Sequence, residues 1–139
     1  MNQPIFKKVY DVRPPVSGFA RIAPPLPGGK RGNSYKAALI ESHLNTKEIQ
    51  ILQGTISRLY WSGQGDTWPM FELTTDAGQT SQWERQGDES LYRIGQKALV
   101  YYYIDRLTED EVAKRVSEGW SADYAREART KVVEIHLEC

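Results

Sequence analysis

The side chains in this sequence that could bind a metal or attack a carbonyl are few, and their spacing argues against both. His43, His136 and Cys139 are the only soft ligands, whereas a metal site needs three or four ligands converging on one point. His136 and Cys139 share the C-terminal end of the chain, where a fraying strand holds no fixed geometry. A nucleophile needs a histidine within hydrogen-bond reach and an acid to orient it, and Cys139 has no such setting. GGKRGNS (28–34) could wrap backbone N–H groups round an anion. Its Lys30 is followed by Arg31 and Gly32 rather than by a Ser or Thr opening a helix, so the Walker spacing is missing. Asp88 and Glu89 fall in a loop, and Glu109 to Glu111 sit where a helix begins. Neither group has the apolar surroundings that raise a carboxyl pKa for acid catalysis. We expect no enzyme activity, no metal and no cofactor.

What remains is aromatic. Tyr60, Trp61, Trp68, Trp83, Tyr101, Tyr102 and Tyr103 lie in or beside expected strands. Barrels of the OB type hold single-stranded nucleic acid by stacking bases on strand aromatics beside basic groups, at ~1–3 kcal/mol per base. Arg58, Arg85 and Arg93 could supply the charge. The candidate binding surface is therefore Arg58, Tyr60, Trp61, Arg85, Tyr101 and Tyr103. Rings of this kind also fill cores and anchor extended segments, and the charge balance disfavours nucleic acid. The chain has 18 Lys and Arg against 18 Asp and Glu. Residues 1–50 carry eight of those bases and three of the acids, net +5, leaving −5 on the remainder, and that sign repels phosphate. A protein partner or self-association is the leading expectation. Single-stranded nucleic acid bound through Tyr101, Tyr103, Trp61 and Arg58 is the alternative.

The elements that must position these residues follow from pattern. A chain of 139 residues, 40% hydrophobic, supports one core of ordinary size. Six of its seven prolines fall between Pro4 and Pro27, and proline fixes φ and removes a donor. Residues 1–34 should therefore form a basic extended arm rather than a helix or central strand, leaving 35–139 as the domain proper. YKAALIES could be helix or strand; we read a helix over 35–44, capped by Asn33 or Ser34, with Ala37, Ile40 and Leu44 on one face. From Ile49 the period becomes two, the mark of half-buried strands. Strands are expected at 49–61, 68–76, 79–86, 97–107 and 130–138. Gly54 marks a bulge or corner in the first, and Asp76-Ala77-Gly78 makes the hairpin between the second and third. The core set includes Phe71, Leu73, Trp83, Val100, Ile104, Val133, Ile135 and Leu137. Strand 97–107 is apolar on both faces and should be covered on both. Thr108 to Glu111 form a capping box for a helix ending near Gly119 with Val112 and Val116 inward. A second short helix, capped by Ser121, runs through Arg129, with Ala125 and Ala128 on its packed side.

Five short strands with glycine corners and a helical insert between the fourth and fifth give the expected class: mainly β, a five-stranded OB-like barrel with a Pro-rich N-terminal arm. Gly54-Thr55-Ile56, Pro69 to Leu73, Asp76-Ala77-Gly78 and Tyr92 to Tyr102 carry a resemblance. In that order they are similar to a widespread bacterial domain family of unknown function, covering about 50 of the 139 residues. Ile56 and Ala98 stand where that pattern has valine. The resemblance implies a fold and no functional residues. The start MNQPIFKK interrupts any signal-like apolar run with Pro4 and two lysines. No stretch approaches the ~20 apolar residues of a membrane span, and a lone cysteine suits a reducing compartment. We expect a cytoplasmic protein without membrane insertion.

Overall fold

The computed structural model of the 139-residue chain describes residues 5–14 and 33–139. The expected arm over Pro24, Pro25 and Pro27, and residues 28–32 of the glycine loop, lie outside the described residues. The proline-free run between Pro4 and Pro14 forms strand β1 (Phe6–Asp11). After it come α1 (Asn33–Leu44), β2 (Gln50–Ser62), β3 (Trp68–Thr74), β4 (Thr80–Glu84) and β5 (Lys97–Asp105). Then follow α2 (Glu109–Ser117), α3 (Ala122–Arg126) and β6 (Arg129–Glu138). Residues 35–44 are thus helical, and Asn33 and Ser34 lie inside the helix rather than ahead of it.

The strands make one antiparallel sheet in the order β1-β6-β5-β2-β3-β4. Among the described residues it has six strands where the pattern leads one to expect five, because residues 6–11 join β6 as an edge strand. Proline at either end confines β1 to that edge. The bulge between Lys8 and Tyr10, and the two lysines before it, suit an edge that must not recruit further strands.

The sheet is strongly rolled. Trp83 on β4 and Tyr102 on β5 have ring centroids 5.3 Å apart, although β2 and β3 lie between them. Three strand spacings would separate them by ~14 Å on a flat sheet. On the other side, a Cβ on Gly87, just past β4, would fall 2.5 Å from the Val9 carbonyl oxygen of β1. The two edges approach each other, yet no ladder joins β1 to β4 among the described residues, so the roll is open and not a closed barrel.

Inside it lie Ile56, Phe71, Leu73, Val100, Ile135 and Leu137, with Trp83, Tyr92 and Ala98. The 3–4 hairpin turns at Gly78, whose φ of +83° and bond from its N–H to the Thr75 carbonyl fit a glycine turn. Two bulges then redistribute side chains. One lies in β2 between Ile56 and Arg58. The other skips Val133, since Tyr101 pairs with Glu134 and Tyr102 with Val132. A bulge flips the alternation beyond it, so Val132 packs with Tyr102 on the main core. Val133 turns to the other face, where Leu44 of α1 and Tyr103 bury it. Both faces of β5 are covered as its apolar pattern requires, the outer one by α1.

Two expected core residues are not in the core. Ile104 is 39% exposed, since it pairs with Thr130 next to the end of the ladder, beyond the core among the described residues. Val116 is 42% exposed, because the five-residue α3 covers only the turn holding Val112. The Thr108–Glu111 capping box is present, and Ser121 caps α3, where Ala125 is buried.

Arg13 ties β1 to α1 and β6. Its guanidinium bonds Glu41, Asp11 at 3.0 Å and Glu134 at 3.0 Å, and Lys8 adds a 2.8 Å bond to Asp11. Burial alone would raise the Asp11 carboxyl, but hydrogen bonds from Lys8 and Arg13 outweigh it and hold it below its ordinary 3.8. Glu134 is likewise pushed up by burial and pulled further down, below 4.5, by His136 and Arg13. Carboxyls depressed on folding stabilise the fold above their unfolded values, and that contribution is lost as pH falls through the folded ones. Stability measured by urea unfolding should be level above about pH 5 and fall below the ordinary carboxylate range. Glu134→Gln should flatten part of that fall; an unchanged acid limb would contradict the network's role.

Candidate functional site

The half of β2 past its bulge carries three of the six candidate residues to one corner of the roll, where Arg85, just past β4, joins them. Past the bulge, Leu59 points to the core while Arg58 and Tyr60 share the outer face. The Arg58 guanidinium lies 4.4 Å from the Tyr60 ring centre. The Tyr60 hydroxyl donates to Gln82 Oε1 at 2.5 Å, and Gln82 Nε2 donates to Glu72 at 3.1 Å. Ser57 donates to the same carboxylate at 2.8 Å and accepts from Thr74 at 2.7 Å. This chain crosses three strands and fixes the tyrosine ring before anything binds. Its hydrogen bonds from Ser57 and Gln82 hold the Glu72 carboxyl below the ordinary range, so Glu72 stays an acceptor.

Trp61 lies two residues beyond Leu59, at the mouth of the inner face, paired with Pro69. Arg85 reaches it from beyond β4. Its backbone N–H donates to the Pro69 carbonyl at 2.8 Å, its Nη2 to the Tyr60 carbonyl at 3.1 Å, and its guanidinium carbon lies 5.2 Å from the Trp61 ring centre. Arg85 Nε is buried and has no partner among the described residues. Trp68, across from Ser62 and so on the outer face, lies against Gly63. Trp61 is 47% and Trp68 56% exposed. The strand end thus carries two adjoining groups, Trp61 with Arg85 on the inner side and Arg58 with Tyr60 on the outer, where Trp68 also lies. Trp68 was missing from the sequence-derived set because nothing in its own run shows that it would lie against Gly63.

Tyr101 and Tyr103 are elsewhere. Tyr101 pairs with Ile51, nine residues from Tyr60 along β2, up to roughly 30 Å away at ~3.3 Å per residue. Its ring rests on His136, centroids 5.0 Å apart, and His136 Nε2 is 2.9 Å from Glu134. Tyr103 is only 9% exposed, held against Leu44 and Val133, with His43 at its edge and Lys47 Nζ 5.7 Å from its ring centre. The six residues therefore split into a corner of four and two separate tyrosines.

Tyr103 borders a different feature, a cleft of about 450 Å³ between α1 and the ends of β1, β5 and β6. Its walls are Val12, Leu39, Ile40, Leu44 and Val132, with the Tyr10 and Tyr103 rings; His43 and Lys131 are its ionisable cations. The only available signal was Leu39, an apolar residue off the Ala37, Ile40 and Leu44 face. Among the described residues no three His, Cys, Asp or Glu side chains converge on a point, and no helix is long and apolar enough to cross a membrane. No protein-family model and no curated protein matches the chain.

A Cβ on Gly63, where φ is +83°, would lie 2.4 Å from Trp68 Cδ1. Gly63→Ala should therefore expel Trp68 from its seat, seen as altered near-ultraviolet circular dichroism and easier acrylamide quenching, with about 1–2 kcal/mol lost. An unchanged indole environment would show that Gly63 does not set the corner.

Proposed function

We propose that the chain is a non-enzymatic interaction module built on an OB-like roll, which takes a protein partner at the Arg58, Tyr60, Trp61, Trp68 and Arg85 corner. The observation that carries this reading is that one strand end presents exposed Trp61 and Trp68 with two ring–guanidinium pairs, Arg85 on Trp61 and Arg58 on Tyr60, on its two faces. Trp, Tyr and Arg dominate interface energetics, and side chains already fixed lose less entropy on association. The OB-like part is supported by strand order. Strands β6-β5-β2-β3-β4 follow the order of an OB barrel parted between its third and fifth strands, with β1 laid along β6 at the opening. Such barrels bind along their second and third strands and the loop after the first, here β3, β4 and residues 63–67. A cytoplasmic setting fits the lone, exposed Cys139.

The exposure of both indoles favours a second reading, single-stranded nucleic acid stacked on Trp61 or Trp68. Glu72 on the corner's outer face, and the acid excess after residue 50, weigh against phosphate.

Peptides selected from a displayed random library should lose ten- to a hundredfold in affinity on Trp61→Ala or Arg85→Ala, about 1.4–2.8 kcal/mol, with the melting temperature kept. Peptides indifferent to both substitutions would refute the corner. Oligothymidine binding that weakens steeply with salt and vanishes in the same variants would favour nucleic acid instead.

A further inference from the structure

The cleft between α1 and the sheet carries chemistry of its own, independent of the corner. Its volume, about 450 Å³, falls in the range of small-molecule sites, which are mostly apolar with a few polar groups that orient the ligand. Leu39 projects from α1 into it while still 54% exposed, an apolar side chain in contact with water beside a concave apolar wall. The bulge at Val133 makes this concavity, since it sends Val132 and Val133 to opposite faces at the point where β1 ends.

The polar groups on its rim have one sign. Among the described residues no Asp or Glu lines it, and Lys131 is its cation, with the His43 imidazole beside it. Glu41 of α1 is paired with Arg13 and Asp105 of β5 with Lys47 at 3.1 Å, while Asp11 and Glu84 are the acids that act on the Tyr10 phenol. Lys131 has no ion-pair or hydrogen-bond partner among the described residues, and neither do the Tyr10 and Tyr103 hydroxyls. An apolar trough bordered by an unpaired ammonium complements a carboxylate joined to a hydrocarbon body and disfavours a cationic head.

We infer that this cleft binds a small amphipathic carboxylate, its hydrocarbon part between Ile40, Leu44 and Val132 and its head group at Lys131. The hydrocarbon supplies most of the affinity: each methylene removed from water tightens binding about fourfold until the cleft is filled. The ammonium supplies the preference for an anion.

The test is calorimetric titration of the full chain at neutral pH with octanoate, decanoate and decyltrimethylammonium, each below its micelle concentration. Decanoate should bind one site, more tightly than octanoate and at least tenfold more tightly than the ammonium of equal chain length. Lys131→Gln, at an exposed side chain whose loss spares the fold, should erase most of that preference. Ile40→Trp, which fills the trough, should abolish binding of decanoate. No saturable decanoate binding, equal affinity for the two head groups, or a preference untouched by Lys131→Gln would each overturn the assignment. Should Ile40→Trp fail to fold, the head-group comparison in Lys131→Gln decides alone.

Discussion

The whole molecule turns on one close approach of two backbones. β2 pairs with β5 over Gln50 to Thr55 and with β3 from Thr55 to Ser62, so it must bend where it passes from one partner to the other. Gly54 sits at that handover, buried, and a Cβ there would lie 2.6 Å from the Thr74 carbonyl oxygen and 2.9 Å from its carbon. Only a residue without a side chain lets the strand pass. The bend rolls the sheet until β4 meets β5 across it, and that roll gives six strands and one loop tyrosine, Tyr92, a common interior. Tyr92 seals it, its hydroxyl donating to the Gln86 carbonyl at 2.7 Å while burial pushes its pKa up.

The chemistry of the surface then follows from where the alternation breaks. The bulge after Ile56 puts Arg58 and Tyr60 outward and Trp61 at the mouth, so that one short stretch of β2 presents rings on both sides of an edge. The bulge at Val133 opens the other face to α1 and leaves the cleft beside it. Bulges of this kind are how sheets re-aim side chains near functional surfaces. Here each of the two sits beside one of the two concentrations of unsatisfied or exposed groups.

Most of the scaffold was legible because it rests on local signals. Period-two runs marked β2 to β6, the Asp76-Ala77-Gly78 turn fixed one hairpin, and the Thr108 to Glu111 box started α2. Gly54 announced itself as a glycine inside a strand. What was hidden depends on partners far away in the chain. Residues 6–11 read as arm because prolines flank them, and only β6, more than a hundred positions later, makes them a strand. The six candidate residues looked like one surface, since a count of aromatics cannot see a bulge. Tyr103 is covered by a helix whose docking depends on Leu44 and on Arg13 reaching Glu41.

The claim beneath all of this is that absence of a side chain at position 54 permits the roll. Urea unfolding of Gly54→Ala beside Gln53→Ala, its exposed neighbour on the same strand, measures it directly. The account predicts a loss on the order of 2–3 kcal/mol for the glycine replacement, from overpacking against a backbone that cannot yield, and a change within about 0.5 kcal/mol for the glutamine. Equal stability of the two variants would mean that β2 does not pass so close to Thr74, and the rolled sheet with both surfaces built on it would not stand.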